Sequence, residues 1–83
     1  MTAPVDLASL PAGAKATVLS IAGGFGAAHR LDSMGIRPGV RLRKISGQPF
    51  GGPVTVEVGG GRIALGHGLA RKILIQPETE GIS

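Results

Sequence analysis

Alternation of apolar and polar residues is cleanest at Val54-Thr55-Val56-Glu57-Val58, where three valines share one face and Thr55 and Glu57 the other. That two-residue period predicts a strand with one covered side. Gly59 to Gly61 supply a positive-φ turn and Arg62 to Leu65 runs back, so the pair predicts a β-hairpin. Upstream, the β-branched and apolar residues of Lys15 to Ile21 predict a first strand that ends at Gly23-Gly24. Val40, Leu42 and Lys44 alternate with Arg41, Arg43 and Ile45, a period that is clean only in its first half and predicts a bulge or bend near Lys44. Lys72 to Gln76 predicts a closing strand with Ile73 and Ile75 facing inward.

Helical spacing is confined to short segments. Ala27 to Met34 places Ala27, Ala28, Leu31 and Met34 on one side and His29, Arg30, Asp32 and Ser33 mostly on the other, which predicts the chain's one helix of any length. Gly35 stops it, since a residue without a β-carbon enters the left-handed region freely, and Pro38-Gly39 launches the next strand. Phe25, between Gly24 and Gly26, falls on a loop before that helix. Val5 to Leu10 predicts a single helical turn lidding one end of a barrel, and Leu69-Ala70, after Gly66-His67-Gly68, predicts another. Phe50-Gly51-Gly52-Pro53 reverses the chain, placing Phe50 at a hairpin tip.

Short strands, tight glycine turns and no long parallel crossover imply a mainly β fold, a small SH3-like antiparallel barrel of about five strands with one short helix and helical turns. The expected organisation is one barrel domain over residues 1–76 and a polar tail over 77–83. A chain of 83 residues buries only roughly 60% of its unfolded surface, which leaves little room for an enzyme-sized cleft.

Composition narrows the function. The absence of cysteine removes disulfides, thiolate metal sites and thiol nucleophiles, and points to a cytoplasmic protein. No secretory signal is evident, and the mostly apolar stretch from Ala16 to Ala28 falls short of the ~20 residues of a spanning helix, so direct membrane insertion is not expected. A formal charge of +4 admits nucleic acid as a partner, but two phenylalanines are the only aromatic residues and base-stacking platforms need several on one face. Nucleic acid is therefore not the expected partner. No Ser-His-Asp or paired-carboxylate pattern stands out, and the Gly59–Gly61 run lacks the Lys and helix of a phosphate loop, so no catalytic residue and no cofactor is expected.

From about Val5 to Gln76 the order of residues resembles the FeoA family, the small cytosolic component of the bacterial ferrous iron transport system. The landmarks are Leu7 and Leu10 before Pro11-x-Gly13, Ala16 and Val18 leading to Ile21, and Arg30-Leu31 followed by Met34-Gly35-Ile36-Arg37-Pro38-Gly39. The second half matches through Gly51-Gly52-Pro53-Val54, Val56, Val58, Arg62-Ile63-Ala64-Leu65, Leu69-Ala70 and Ile73 to Ile75. The resemblance implies an SH3-like barrel and a role supporting FeoB, the membrane permease with a cytosolic GTP-binding domain. It leaves open whether that support is GTPase regulation or assembly, and whether the chain is a homo-oligomer. A related barrel ends the iron-dependent repressors of the diphtheria toxin repressor family.

On this reading the partner-binding candidates are Arg37, Arg41, Arg43 and Arg62, which with Lys44 would present a basic face to an acidic surface, Phe50, as an anchor at its hairpin tip unless it folds back over the barrel mouth, and Phe25, whose loop position leaves its direction open. The competing readings are a metal-sensing barrel using His29, Asp32 and His67, and a basic barrel binding nucleic acid.

Overall fold

The computed structural model describes residues 3–47 and 51–78. Six strands form one antiparallel sheet: β1 (Val5–Asp6), β2 (Lys15–Ile21), β3 (Arg41–Gly47), β4 (Val54–Val58), β5 (Gly61–Leu65) and β6 (Ile73–Pro77), in the order β1-β6-β2-β3-β4-β5. Two helices interrupt them, α1 (Gly24–Ser33) and the single turn α2 (His67–Ala70). The inner faces of the strands converge on one cluster that includes Leu7, Val18, Leu31, Ile36, Leu42, Val56, Leu65, Ile73 and Ile75. The mainly β antiparallel fold is as the alternation predicts.

The hairpin shows why. Val54, Val56 and Val58 are buried while Thr55 and Glu57 face out, and Val58 pairs with Gly61 across the two-residue turn Gly59-Gly60. Both turn residues have positive φ, +59° and +84°, the backbone that matches the strands' own twist and that side chains resist. The bend expected near Lys44 is a register shift between Lys44 and Ser46 in the β3–β4 ladder. A second shift, between Val18 and Ser20, kinks β2 against β6.

Four boundaries differ from expectation. Val5 to Leu10 is not one helical turn: Val5 and Asp6 pair with Ile75 and Leu74 as a sixth strand, and only Leu7–Ser9 is helical, a 3-10 turn. The split follows from Asp6, whose carboxylate accepts from the Ser9 N–H (3.0 Å) and so caps the turn at its start. Helix α1 begins at Gly24, three residues early, so Phe25 stands on a helix rather than a loop. His67 lies inside α2 rather than before it. The closing strand reaches Pro77, and the Glu78 N–H donates to the Lys15 carbonyl (2.9 Å), ordering the chain past the expected barrel end at Gln76.

The end of α1 is as expected and can be accounted for bond by bond. Gly35 has φ +85°, its N–H donates to Asp32 O, and the Ile36 N–H reaches back to Leu31 O (2.9 Å). This is a Schellman closure, sealed by Leu31 and Ile36, both fully buried in the core. It fixes the direction in which Arg37 and Pro38 leave the helix, and so the far wall of the groove described next.

Candidate functional site

Helix α1 packs Ala27 and Leu31 into the core, which turns a second stripe outward. Phe25, Ala28, His29 and Asp32 recur at i, i+3, i+4 and i+7 on that stripe, and with Ile21 of β2 and Pro38 they line an open groove of about 440 Å³. Phe25 is 94% exposed. That leaves a large apolar side chain in water on the first turn of a hydrogen-bonded helix. At the other end of the groove Arg37 Nη1 donates to Asp32 Oδ1 at 3.1 Å, across the helix-ending turn.

The predicted metal residues separate. His29 and Asp32 share this groove, whereas His67 sits on α2, away from the groove lining, with Nδ1 buried and unpartnered. Among the described residues no three His, Cys, Asp or Glu side chains are grouped to hold a metal ion.

The predicted basic face exists in altered form. Arg41 and Arg43 do point outward from β3, but each faces a carboxylate: Arg41 donates to Glu78 Oε2 through Nε (2.8 Å), and Arg43 Nη2 lies 3.6 Å from Glu57 Oε1. Arg37 is paired likewise with Asp32. Such exposed pairs each contribute about 0–1 kcal/mol to stability, but they replace isolated positive charges by dipoles. Lys44 leaves the face altogether. It is 4% exposed, and its Nζ donates to the carbonyls of Leu7 (3.3 Å) and Ala8 (2.9 Å) on the 3-10 turn. Burial pushes the Lys44 ammonium below the ordinary lysine value, the Asp6 carboxylate acting in the opposite sense. The alternation that placed Lys44 on the side of Leu42 already carried this information, and a count of basic residues conceals it.

Arg62 is exposed on β5 and has no ion pair among the described residues. Phe50 lies outside the described residues. Beneath Lys15, Arg41, Arg43, Glu57 and Glu78 runs a second open groove, about 570 Å³, floored by Leu42, Val58 and the Gly59-Gly60 turn. The alternation shows Glu57 facing outward, but its neighbour Arg43 follows only from the strand register, and Glu78 falls in the segment expected as a polar tail.

The family model for the FeoA domain matches residues 5–77. This chain belongs to the FeoA family. It is 41% identical over 75 residues to a protein of Methanocaldococcus jannaschii named "Putative Fe(2+) transport protein A", covering 90% of this chain and 89% of that one. Its fold superimposes on the crystal structure of an iron uptake regulatory protein (FeoA) with a TM-score of 0.86 and 36% identity, over 92% of this chain and all of the other. A manganese-dependent transcriptional repressor in complex with manganese matches with a TM-score of 0.82 at 24% identity; this FeoA-family chain spans 38% of that repressor, a likeness of fold alone. Among the described residues of this FeoA-family chain no helix is long and apolar enough to cross a membrane.

Proposed function

We propose that this chain is a non-enzymatic adaptor of ferrous iron uptake, docking from the cytosolic side onto a FeoB-type permease and acting by protein–protein contact. The observation that carries the reading is Phe25, almost wholly exposed on the first turn of α1 and walling an apolar groove with Ile21, Ala28 and Pro38. FeoA-family membership and the iron-transport name of the Methanocaldococcus relative supply the context. Phe25 serves as the anchor, and the Arg37–Asp32 pair at the groove's end orients the incoming surface.

The test is calorimetric titration of the protein into the soluble GTP-binding domain of its cognate permease, in the GDP and GTP-analogue states. Saturable heat is expected, and a difference between states would indicate regulation of the GTPase cycle. Full burial of a phenylalanine side chain contributes about 1.5–3 kcal/mol, so Phe25→Ala should weaken binding roughly ten- to hundredfold with no change in melting temperature. Absence of heat in both states would sink the reading for this domain; unchanged affinity of Phe25→Ala would remove the groove from it.

A further inference from the structure

The sheet has two ends, and they are unequal. β1 is two residues long, whereas β5 presents five residues with no strand on its far side among the described residues. In the β4–β5 hairpin the pair closing the two-residue turn, Val58 and Gly61, exchanges both backbone hydrogen bonds, so bonded and non-bonded pairs alternate from there. Arg62 opposite Glu57 and Ala64 opposite Thr55 are the non-bonded pairs. Their N–H and C=O groups point away from β4, and Arg62 and Ala64 are both exposed. β5 thus offers two donors and two acceptors in strand geometry.

The charge beside that edge is ordered. Arg62, Glu57, Arg43 and Lys15 succeed one another across β5, β4, β3 and β2 by register, and Glu78 follows next to Lys15 through its backbone bond. The row reads plus, minus, plus, plus, minus. Both acids are engaged further in, Glu57 with Arg43 and Glu78 with Arg41, so the cation at the open end, Arg62, makes no ion pair among the described residues.

We propose that the β5 edge takes an extended acidic segment of a partner protein as an added strand. An acidic residue sits opposite Arg62, an apolar one opposite the half-buried Ile63, and a bulky one opposite Ala64, whose methyl leaves room for it. A second copy of this chain fits less well: the self-pairing that sets Arg62 against Ala64 brings two unneutralised Arg62 side chains to diagonal positions. Nucleic acid fits less well still, because Glu57 and Glu78 interrupt the row and no aromatic side chain lies in it. The proposal goes beyond the Phe25 groove and does not depend on it.

The experiment follows backbone amide exchange by NMR in the full chain, alone and with two short blocked probes, the peptide Thr-Val-Glu-Val-Glu-Val-Thr and the same peptide with lysine for glutamate. The expected result is that the Arg62 and Ala64 amides exchange freely in the isolated protein and slow by at least about tenfold with the glutamate peptide only. Ala64→Pro removes one outward donor without touching the β4 ladder and should abolish the protection; Arg62→Glu should transfer it to the lysine peptide. Phe25→Ala should leave it unchanged, which separates this edge from the docking groove. Equal protection by both peptides, protection by neither, or protection retained in Ala64→Pro would overturn the proposal. So would protection that grows with protein concentration alone, which would make the occupant a second copy, or protection by a DNA oligonucleotide.

Discussion

Replacing Lys44 by methionine isolates what a buried ammonium does for this fold. The unbranched stem survives, and only the charged head is lost from beneath the Leu7 and Ala8 carbonyls. Leu7 O keeps a second donor, the Leu10 N–H at 3.2 Å, so the carbonyl left wanting is that of Ala8. A hydrogen bond from a charged donor contributes about 1.5–3 kcal/mol, against which stands the cost of holding the charge out of water. The expected net cost of Lys44→Met at pH 7 is therefore about 1–2 kcal/mol, or a melting temperature lowered by roughly 4–16 °C for a domain of this size. Lys44→Ala deletes three further methylenes at ~0.8 kcal/mol each and leaves a hollow, for a total of about 4–5 kcal/mol. Urea unfolding of the three proteins gives both numbers. The pH profile tests the electrostatic half separately. Burial holds native Lys44 below the 10.5 of the unfolded chain. As pH rises through the folded value toward 10.5, the native side chain sheds its proton while the unfolded chain keeps its own, so the parent's stability relative to Lys44→Met climbs across that window and is flat below it. A Lys44→Met protein as stable as the parent at pH 7 would refute the role of the ammonium as a clip on the 3-10 turn. A parent advantage that falls between neutral pH and 10.5 would refute burial as the dominant influence on it.

Two further outcomes are expected. Leu42→Ala, in a buried position of β3 flanked by outward arginines, should cost about 2–5 kcal/mol in urea unfolding, and a loss under 1 kcal/mol would place Leu42 outside the core. Arg41→Ala should cost about 0.2–1 kcal/mol at low salt and nothing measurable at high salt, because the guanidinium end of its Glu78 pair is largely in water; a larger, salt-independent loss would show that the mostly covered Glu78 fastens the end of β6.

What could be read from the chain follows the range of the interactions involved. Strong local signals survive folding: the valine alternation of β4, the glycine that ends α1 at Gly35, and the defect near Lys44 each depend on neighbours within a few residues. Val5-Asp6 could not be read as a strand, since two residues carry no period and their partner, Leu74-Ile75, lies at the other end of the sequence. Glycine's poor helix propensity hid the first turn of α1, which is held from outside: the Ala22 N–H donates to Lys72 O just before it. The sequence pattern shows the charges of Arg37, Arg43 and Arg41 but not their partners, because Asp32, Glu57 and Glu78 meet them only through a turn, a register and a strand end respectively.

That pairing changes what the chain's net charge of +4 can do. With Arg37, Arg41 and Arg43 each facing a carboxylate and Lys44 buried, the described cations without an ion pair are Lys15, Arg30, Arg62, Arg71 and Lys72, scattered over β2, α1, β5 and the turn after α2. Carboxylates from α1, β4 and the end of β6 interleave with Arg37, Arg43 and Arg41, so a phosphate backbone would meet no continuous basic stripe along them. Apolar contact and backbone pairing are then the forces left to hold a partner. The described residues present both at different places: Phe25 over its groove, and the outward amides of β5 with Arg62 beside them. A globular surface can satisfy the first and only an extended segment the second, so a partner that engaged both would bind through a folded domain and a strand adjoining it.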